Sequence, residues 1–301
     1  MGLKRYIPWW AKIPAKIVLS RIPVGYAVWQ KLNIFKHGQM EAPTYALDVF
    51  ERHFVRSRLA NGVGGFVALE VGPGDTLFSA VIAKVFGASK IYLVDIGQFA
   101  RADIAPYQRL VHELAKRHGE CAVDGIAECK SLDALLVVCN AEYLTAGVAS
   151  FQQIPDHSVD FIFSQATLEH IRRREFNRLI TEMRRVLKPD GVCSHEVDLK
   201  DHLGGKLDNL RFSERMWESN FMAHSGFYTN RIRFREMLGR FSAGGFRYEV
   251  VRTGTFPRIP TPRSRMARQF RNLTDRDLCV SDFDIVLSIA TPIKVTASIR
   301  N

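Results

Sequence analysis

The chain lacks a run of about 18 apolar residues, so no transmembrane helix is expected. Lys12, Lys16 and Arg21 interrupt the apolar core that a signal peptide would need, so no secretory leader is expected either. Cysteine is sparse and unpatterned. Cys121, Cys129, Cys139, Cys193 and Cys279 are odd in number and include no Cys-x-x-Cys. That argues against a disulfide framework and a zinc knuckle, and for a reducing, cytoplasmic setting. Internal repeats and low-complexity tracts are absent. Acids are missing from the start of the chain, where the first is Glu41.

What stands in their place is basic. Residues 1–40 carry Lys4, Arg5, Lys12, Lys16, Arg21, Lys31 and Lys36, with Trp9, Trp10 and Trp29 between them. Pro8, Pro14 and Pro23 prevent one continuous helix. Such a segment suits an anionic membrane surface, as a peripheral contact at its inner face. It equally suits an extension packed over the rest of the protein with its charges in water. The whole chain of 301 residues has a net charge of +11, which favours acidic partners without choosing among nucleic acid, anionic lipid and a phosphorylated substrate. Its hydrophobic content of 47% is enough for one large α/β domain with additions.

The most informative stretch is Phe66-Val-Ala-Leu-Glu-Val-Gly-Pro-Gly-Asp75. An apolar run of strand character ends in Glu70; Gly72 and Gly74 follow, then a helix-like segment over 76–86. A strand feeding a glycine turn and a helix brings bare backbone beside a ligand. A second strand-like run, Ile91 to Val94, ends in Asp95, roughly 20 residues past the glycines, where a nucleotide-binding unit presents a carboxylate to ribose. Leu77 stands where the dinucleotide fingerprint needs a third small residue, and no phosphate-loop Gly-Lys-Ser/Thr is present after the turn. Glu70 would repel a pyrophosphate and suits an ammonium group. The plain alternative is an ordinary strand-to-helix turn.

At this point the sequence resembles the class I methyltransferases that use S-adenosylmethionine. Glu70-Val-Gly-Pro-Gly74 is similar to their first motif, and Asp95 matches their ribose-holding acid. Ser158 to Phe163 is similar to their fourth strand, and Gln165 with Leu168-Glu-His170 is similar to the segment just after that strand. Met183 to Gly191 is similar to the helix and turn leading into their fifth strand. The resemblance implies an α/β, Rossmann-like fold: a seven-stranded, mostly parallel sheet with helices on both faces. The basic extension over 1–40 would precede a methyltransferase domain over 41–301, with an insertion after the fifth strand at 199–229.

The implied cofactor is S-adenosyl-L-methionine, held by Glu70, Gly72, Gly74, Asp95, Ile96, Val148, Ala149 and Gln165. Gly147 stands where many relatives place an adenine-contacting aspartate, so backbone near Val148 and Ala149, or the Ser150 side chain, would take over. The wider pattern, from Leu32-Asn-Ile-Phe-Lys-His-Gly38 to Phe221–Arg233, resembles bacterial methyltransferases of polysaccharide and glycan biosynthesis clusters. It implies a saccharide or lipid-linked sugar hydroxyl as acceptor. Nucleic acid is disfavoured. Ser164-Gln-Ala-Thr167 stands where base-methylating enzymes carry Asn/Asp-Pro-Pro-Tyr/Phe, and no cysteine lies near the fourth strand. A small-metabolite enzyme and a non-catalytic cofactor-binding or membrane-surface protein stay open.

Methyl transfer to oxygen or nitrogen requires a group that removes a proton. His170, His195, Asp198 and His202 are the candidates, with Asp201 beside them. His195, Asp198 and His202 are spaced to cluster at the mouth of a site, or to order the loop after the strand. Two histidines with two carboxylates could also hold a divalent metal, although no metal is the expectation.

The remaining expectations are structural. A helix is expected over 42–60, a mainly helical region over 101–140, a third strand over 141–145 and a helix over 176–187 that Pro189-Asp-Gly191 stops. Asn230 is expected to cap a helix running to Arg240. Strands are expected over 246–255 and 283–291, paired antiparallel by the resemblance. Arg258, Arg263, Arg265, Arg268 and Arg271, which lie between those strands with no acid until Asp275, form a basic loop that is either a solvated face or a phosphate contact.

Overall fold

The computed structural model describes residues 42–59 and 64–290. The basic arm over 1–40 lies outside the described residues.

Helix α1, Pro43–Arg56, opens with proline in its first turn, where a missing N–H costs no hydrogen bond. Ala46, Leu47, Phe50, His53 and Phe54 recur at helical spacing and are buried. Strand β1, Val67–Val71, leads through the glycine turn to α2, Phe78–Val85. Strand β2, Lys90–Val94, comes next. The region expected to be mainly helical holds α3, Ala105–His118, and α4, Leu132–Val138. Strands β3, Ala141–Leu144, and β4, Val159–Gln165, flank a short 3₁₀ segment, Gly147–Gln153. Helix α5, Arg173–Val186, passes directly into β5, Leu187–Asp198.

Beyond β5 come two short helices, α6, Glu214–Trp217, and α7, Asn220–Ala223. Helix α8 spans Phe234–Ala243 and β6 spans Phe246–Thr255. Two more short helices, α9, Arg268–Arg271, and α10, Asp275–Cys279, precede β7, Val280–Ile289.

The strands form one sheet in the order β3-β2-β1-β4-β5-β7-β6. All neighbours are parallel except β5–β7 and β7–β6. This is the Rossmann-like, mostly parallel α/β sheet that the resemblance implies. Central strands β1 and β2 are buried on both faces, which explains their continuous apolar runs. One face carries α1 to α4 over Ala68, Phe161 and Phe163. The other carries α5 and α8 over Leu69, Ile162, Cys193 and Val197. The chain winds outward from β1 to β3 and then returns to β4. The crevice at the carboxyl ends of β1 and β4 is therefore the topological switch point, where ligands bind in such sheets.

Two local expectations are corrected. Pro189-Asp-Gly191 does not form a turn that stops a helix. Helix α5 ends at Val186, and the triplet bulges from β5 as the register jumps from Val159↔Leu187 to Phe161↔Val192. Lys188 Nζ holds the bulge to Asp160 at 2.7 and 2.8 Å. Asn230 does not cap α8, whose cap position is Arg233. Its amide nitrogen instead donates to the Leu168 and Ile171 carbonyls at 2.8 and 2.9 Å, tying the chain after β4 to the segment before α8.

Candidate active site

The glycine turn sits at the switch point. Gly72 and Gly74 have φ of +79° and +72°, which L side chains rarely adopt. The Gly72 amide donates to the Val94 carbonyl at 2.8 Å, binding the turn to the end of β2. A Cβ at Gly72 would lie 2.3 Å from Thr167 Cγ2, so the turn and the chain after β4 approach as closely as bare backbone permits. Asp95 closes the other side. One carboxylate oxygen accepts from the Gly74 amide at 3.0 Å, and the other from the Ile96 amide at 2.7 Å.

Glu70 lies beneath this turn, buried, and its Oε2 has no hydrogen-bond partner among the described residues. Burial, against a bond from Ser79 and with the Asp95 charge adding to it, pushes its pKa up to about 8. An unsatisfied carboxyl oxygen under a bare-backbone cradle fits a ligand that brings an ammonium group. Ile96 adds a large apolar side chain, 70% exposed, next to Asp95. Gly147 packs over Ile96, and its amide donates to the Asp95 carbonyl at 2.8 Å.

Around this cradle the implied contacts divide. The Val148 side chain is buried in the core, while Ala149 is exposed. Ser150 is not available for adenine. Its buried hydroxyl accepts from the Ala146 amide at 2.9 Å and closes the 3₁₀ turn. Gln165 turns toward α1, where its Oε1 meets Arg52 Nη2 and His53 Nε2, both at 3.2 Å. Arg52 also pairs with Glu196 at 3.3 Å.

The proton-accepting candidates do not form one cluster. His195 is interior. Strand alternation places it with Cys193 and Val197 on the α5/α8 face, fully buried, with Nδ1 2.7 Å from Ser164 Oγ and Nε2 unpartnered. Burial, with His53 adding to it, pulls its pKa down to about 3. The strand-end position expected for His195 is thus corrected: the residue lies three places before the end of β5, inside the sheet. Asp198 is at the strand end, where it accepts from the Lys200 amide at 2.9 Å and pairs with Lys200 Nζ at 3.0 Å. Asp201 is buried, and its carboxylate accepts from the amides of Leu203, Gly204, Gly205 and Asp208 at 2.5 to 3.0 Å. Those bonds order the loop after β5.

His170 and His202 do meet. Their rings stack with centroids 4.8 Å apart, and their Nε2 atoms are 3.1 Å apart. His170 Nδ1 donates to the Tyr228 carbonyl at 3.0 Å. A carbonyl only accepts, so in neutral His170 the proton is on Nδ1 and Nε2 holds the lone pair, to which His202 Nε2–H donates. The His170 amide donates to the Thr167 carbonyl at 2.8 Å, one tight turn from the residue that packs on Gly72. Both rings are exposed. Among the described residues, no three His, Cys, Asp or Glu side chains gather in a way that could hold a metal.

Sequence reasoning missed several groups. Ala166, just past β4, adopts φ +48°, a conformation uncommon for a residue with a side chain. Glu169 is buried, with neither carboxylate oxygen in hydrogen-bonding geometry, and burial beside Asp198 and Glu196 raises its pKa well above the carboxylate range. His53 donates from Nε2 to Gln165 and lies with Nδ1 2.8 Å from Ser194 Oγ. Its place on the apolar stripe of α1 was the available signal. Arg231 is buried between the Trp217 and Phe270 rings, 5.4 and 5.1 Å from their centroids, and its pKa falls to about 10 through burial.

Residues 69–194 match the family model described as a methyltransferase domain. No curated protein matches the chain. Among solved structures, the chain is similar to Haemonchus contortus phosphoethanolamine N-methyltransferase 2 in complex with phosphomonomethylethanolamine and S-adenosylhomocysteine. The identity is 15% over 80% of this chain and 52% of that one, with a TM-score of 0.44. It is also similar to a SAM-dependent methyltransferase from Archaeoglobus fulgidus, at 12% over 88% and 99%, TM-score 0.46. Burkholderia thailandensis 1,6-didemethyltoxoflavin-N1-methyltransferase gives 14% over 94% and 89%, TM-score 0.42. The chain spans about half the length of the first of these, and likenesses this distant carry nothing about an acceptor.

The domain match, the strand order and the acid-flanked glycine turn agree. Residues 69–194, which hold most of β1, the glycine turn and strands β2 to β4, carry the match to a methyltransferase domain. No helix of the described residues is long and apolar enough to cross a membrane.

Proposed function

We propose that the protein transfers the methyl group of S-adenosylmethionine to a hydroxyl, and that the acceptor is a saccharide or glycan precursor, free or lipid-linked. Bound at the crevice, the cofactor supplies an electrophilic methyl on a sulfonium. Glu70 would take its ammonium group, Gly72 and Gly74 would let backbone lie against it, and Asp95 would accept from its ribose hydroxyls.

The observation that carries the oxygen-acceptor reading is the His170–His202 pair. Its tautomer is set by the Tyr228 carbonyl, and it lies one turn from Thr167. An acceptor hydroxyl that displaces His202 from His170 Nε2 finds a lone pair there. His170 takes the proton as the oxygen–methyl bond forms and the sulfonium–methyl bond breaks. The aromatic residues of the insertion, Phe212, Trp217 and Tyr228, build the wall on which His170 rests. The saccharide assignment is supported by the sequence resemblance to glycan-cluster enzymes.

The test is an assay of S-adenosylhomocysteine release with nucleotide sugars, lipid-linked sugars, small metabolites and oligonucleotides, and mass spectrometry of the product. A methyl ether on a sugar is expected. His170→Ala should lower turnover about 10²–10⁴-fold with cofactor affinity nearly intact. A methylated amine or nucleobase, or full activity in His170→Ala, would overturn the reading.

A further inference from the structure

The cap over the β4–β5 end has an outer surface that the proposed chemistry does not use. Residues 256–279 fold against 207–210 around Leu207, Leu210, Met266, Phe270 and Leu278. Arg263 ties this lobe together, donating to the Arg271 and Leu273 carbonyls at 2.6 Å and pairing with Asp275. The buried Arg231 joins the lobe to the insertion, since Trp217 of α6 and Phe270 of α9 flank its guanidinium. Gln269 Nε2 adds a bond to Glu214 at 3.3 Å.

The charges on this unit do not balance. Its acids are all engaged internally. Asp201 serves backbone amides, Asp208 holds Arg211, and Glu214 pairs with Arg231. Glu218 accepts from the Tyr228 hydroxyl, Asp275 pairs with Arg263, and Asp277 accepts from the Arg235 amide. Arg215, Arg258, Arg265, Arg268 and Arg276 are exposed, and none has an acidic partner among the described residues. Met216 and Phe221, on the same short helices, are 48% and 47% exposed.

We propose that this lobe is a docking surface for an anionic phospholipid bilayer. Clustered guanidinium charges attract anionic headgroups, and the neighbouring apolar side chains gain from entering the headgroup–acyl boundary. A nucleic acid offers phosphates, but a duplex has no apolar phase for Met216 and Phe221. The surface belongs to the cap over the acceptor side, so docking brings the site to material carried on the membrane. The inference does not rest on the methyl-transfer reading, because lipid binding needs neither cofactor nor acceptor.

Co-sedimentation of the full chain with phosphatidylcholine vesicles, with and without phosphatidylserine, tests it. Binding is expected only with phosphatidylserine, and it should weaken as salt rises. Replacing Arg215, Arg258, Arg265, Arg268 and Arg276 together by glutamine should weaken binding by at least about tenfold, while the same five changed to lysine should bind like the parent. Met216→Ser with Phe221→Ser should weaken it about threefold or more. Binding by the glutamine set equal to the parent would overturn the proposal, as lipid contact would then lie elsewhere, for example in the basic arm. So would a parent chain that ignores anionic vesicles at low salt, a lysine set as weak as the glutamine set, or binding of duplex DNA in place of vesicles.

Discussion

At the β1–β2 end of the crevice, position is held by main chain. The Gly72 amide bonds to Val94, the Gly74 and Ile96 amides bond to Asp95, and Gly147 bonds back to the Asp95 carbonyl. In the cap, position is held by buried polar side chains that gather main-chain groups, some of them distant in sequence. Asp201 gathers four amides, and Asn230 clamps two carbonyls some sixty residues away. Arg233 donates to the carbonyls of Leu199, Asp277 and Val280 at 2.6 to 2.9 Å. The first arrangement depends on local backbone conformation and tolerates almost no side chain at its glycines. The second depends on satisfied buried charges, each costly to remove because its partners are left without water.

The comparison is broken most directly at Gly72. Gly72→Val places a branched Cβ against Thr167 in a conformation that valine resists. Affinity for S-adenosylhomocysteine should fall at least about a hundredfold by calorimetry. Adding Thr167→Ala should restore little of it, because the backbone strain stays.

Asp201→Ala breaks the other side. It takes the carboxylate from the amides of Leu203, Gly204 and Asp208, while Gly205 keeps the Asp201 carbonyl, a cost of about 3 kcal/mol to the cap. Acceptor turnover should collapse while affinity for S-adenosylhomocysteine changes less than about threefold. Equal loss of both would show that the two ends fold as one unit.

A third measurement separates interior from site. His195 and His53 have pKa values pulled down to about 3 and 4 by burial, from the usual 6.5. The unfolded imidazoles take protons below about pH 6.5 and the folded ones do not. Their contribution to stability is therefore full above pH 6.5, and it is lost as pH falls toward 4 and then 3. Urea midpoints should drop steadily over that window, and His195→Asn should flatten the slope. If His195→Asn abolished turnover without altering that slope, the residue would belong to the site after all.

The smallest effect concerns Glu70. Its folded pKa, about 8 against the usual 4.5, keeps it neutral near pH 7 in the free protein. Its contribution to stability is full below pH 4.5 and fades as pH rises through 8, opposite in sign to the histidines. A bound ammonium group should ionise it. Binding of S-adenosylhomocysteine at pH 7 should then release up to one proton, read as a binding enthalpy that changes with the buffer's ionisation heat. Glu70→Gln should remove that dependence.

The glycine-turn half was legible early. Strand, glycine turn, helix and acid lie within about thirty residues, and each is specified by short-range rules: apolar runs for buried parallel strands and glycine where φ is positive. The short-range rules misled where a turn signal met the sheet. Pro189-Asp-Gly191 has turn composition, yet strand pairing absorbed it as a bulge. His195, Asp198 and His202 looked like one group by spacing. Alternation along β5 turned His195 inward, Lys200 engaged Asp198, and only His202 reached another candidate.

By itself the sequence determined the order of strands and helices and the crevice where bare backbone and acids meet, because local sterics and periodicity act within a few residues. Only the tertiary structure decided which histidines are exposed and which are sealed, that His170 meets His202, and that Arg231 locks the cap while five arginines on its outer surface have no acidic partner among the described residues. These depend on which faces the helices cover and on contacts between residues 30 or more positions apart, and no local pattern encodes them.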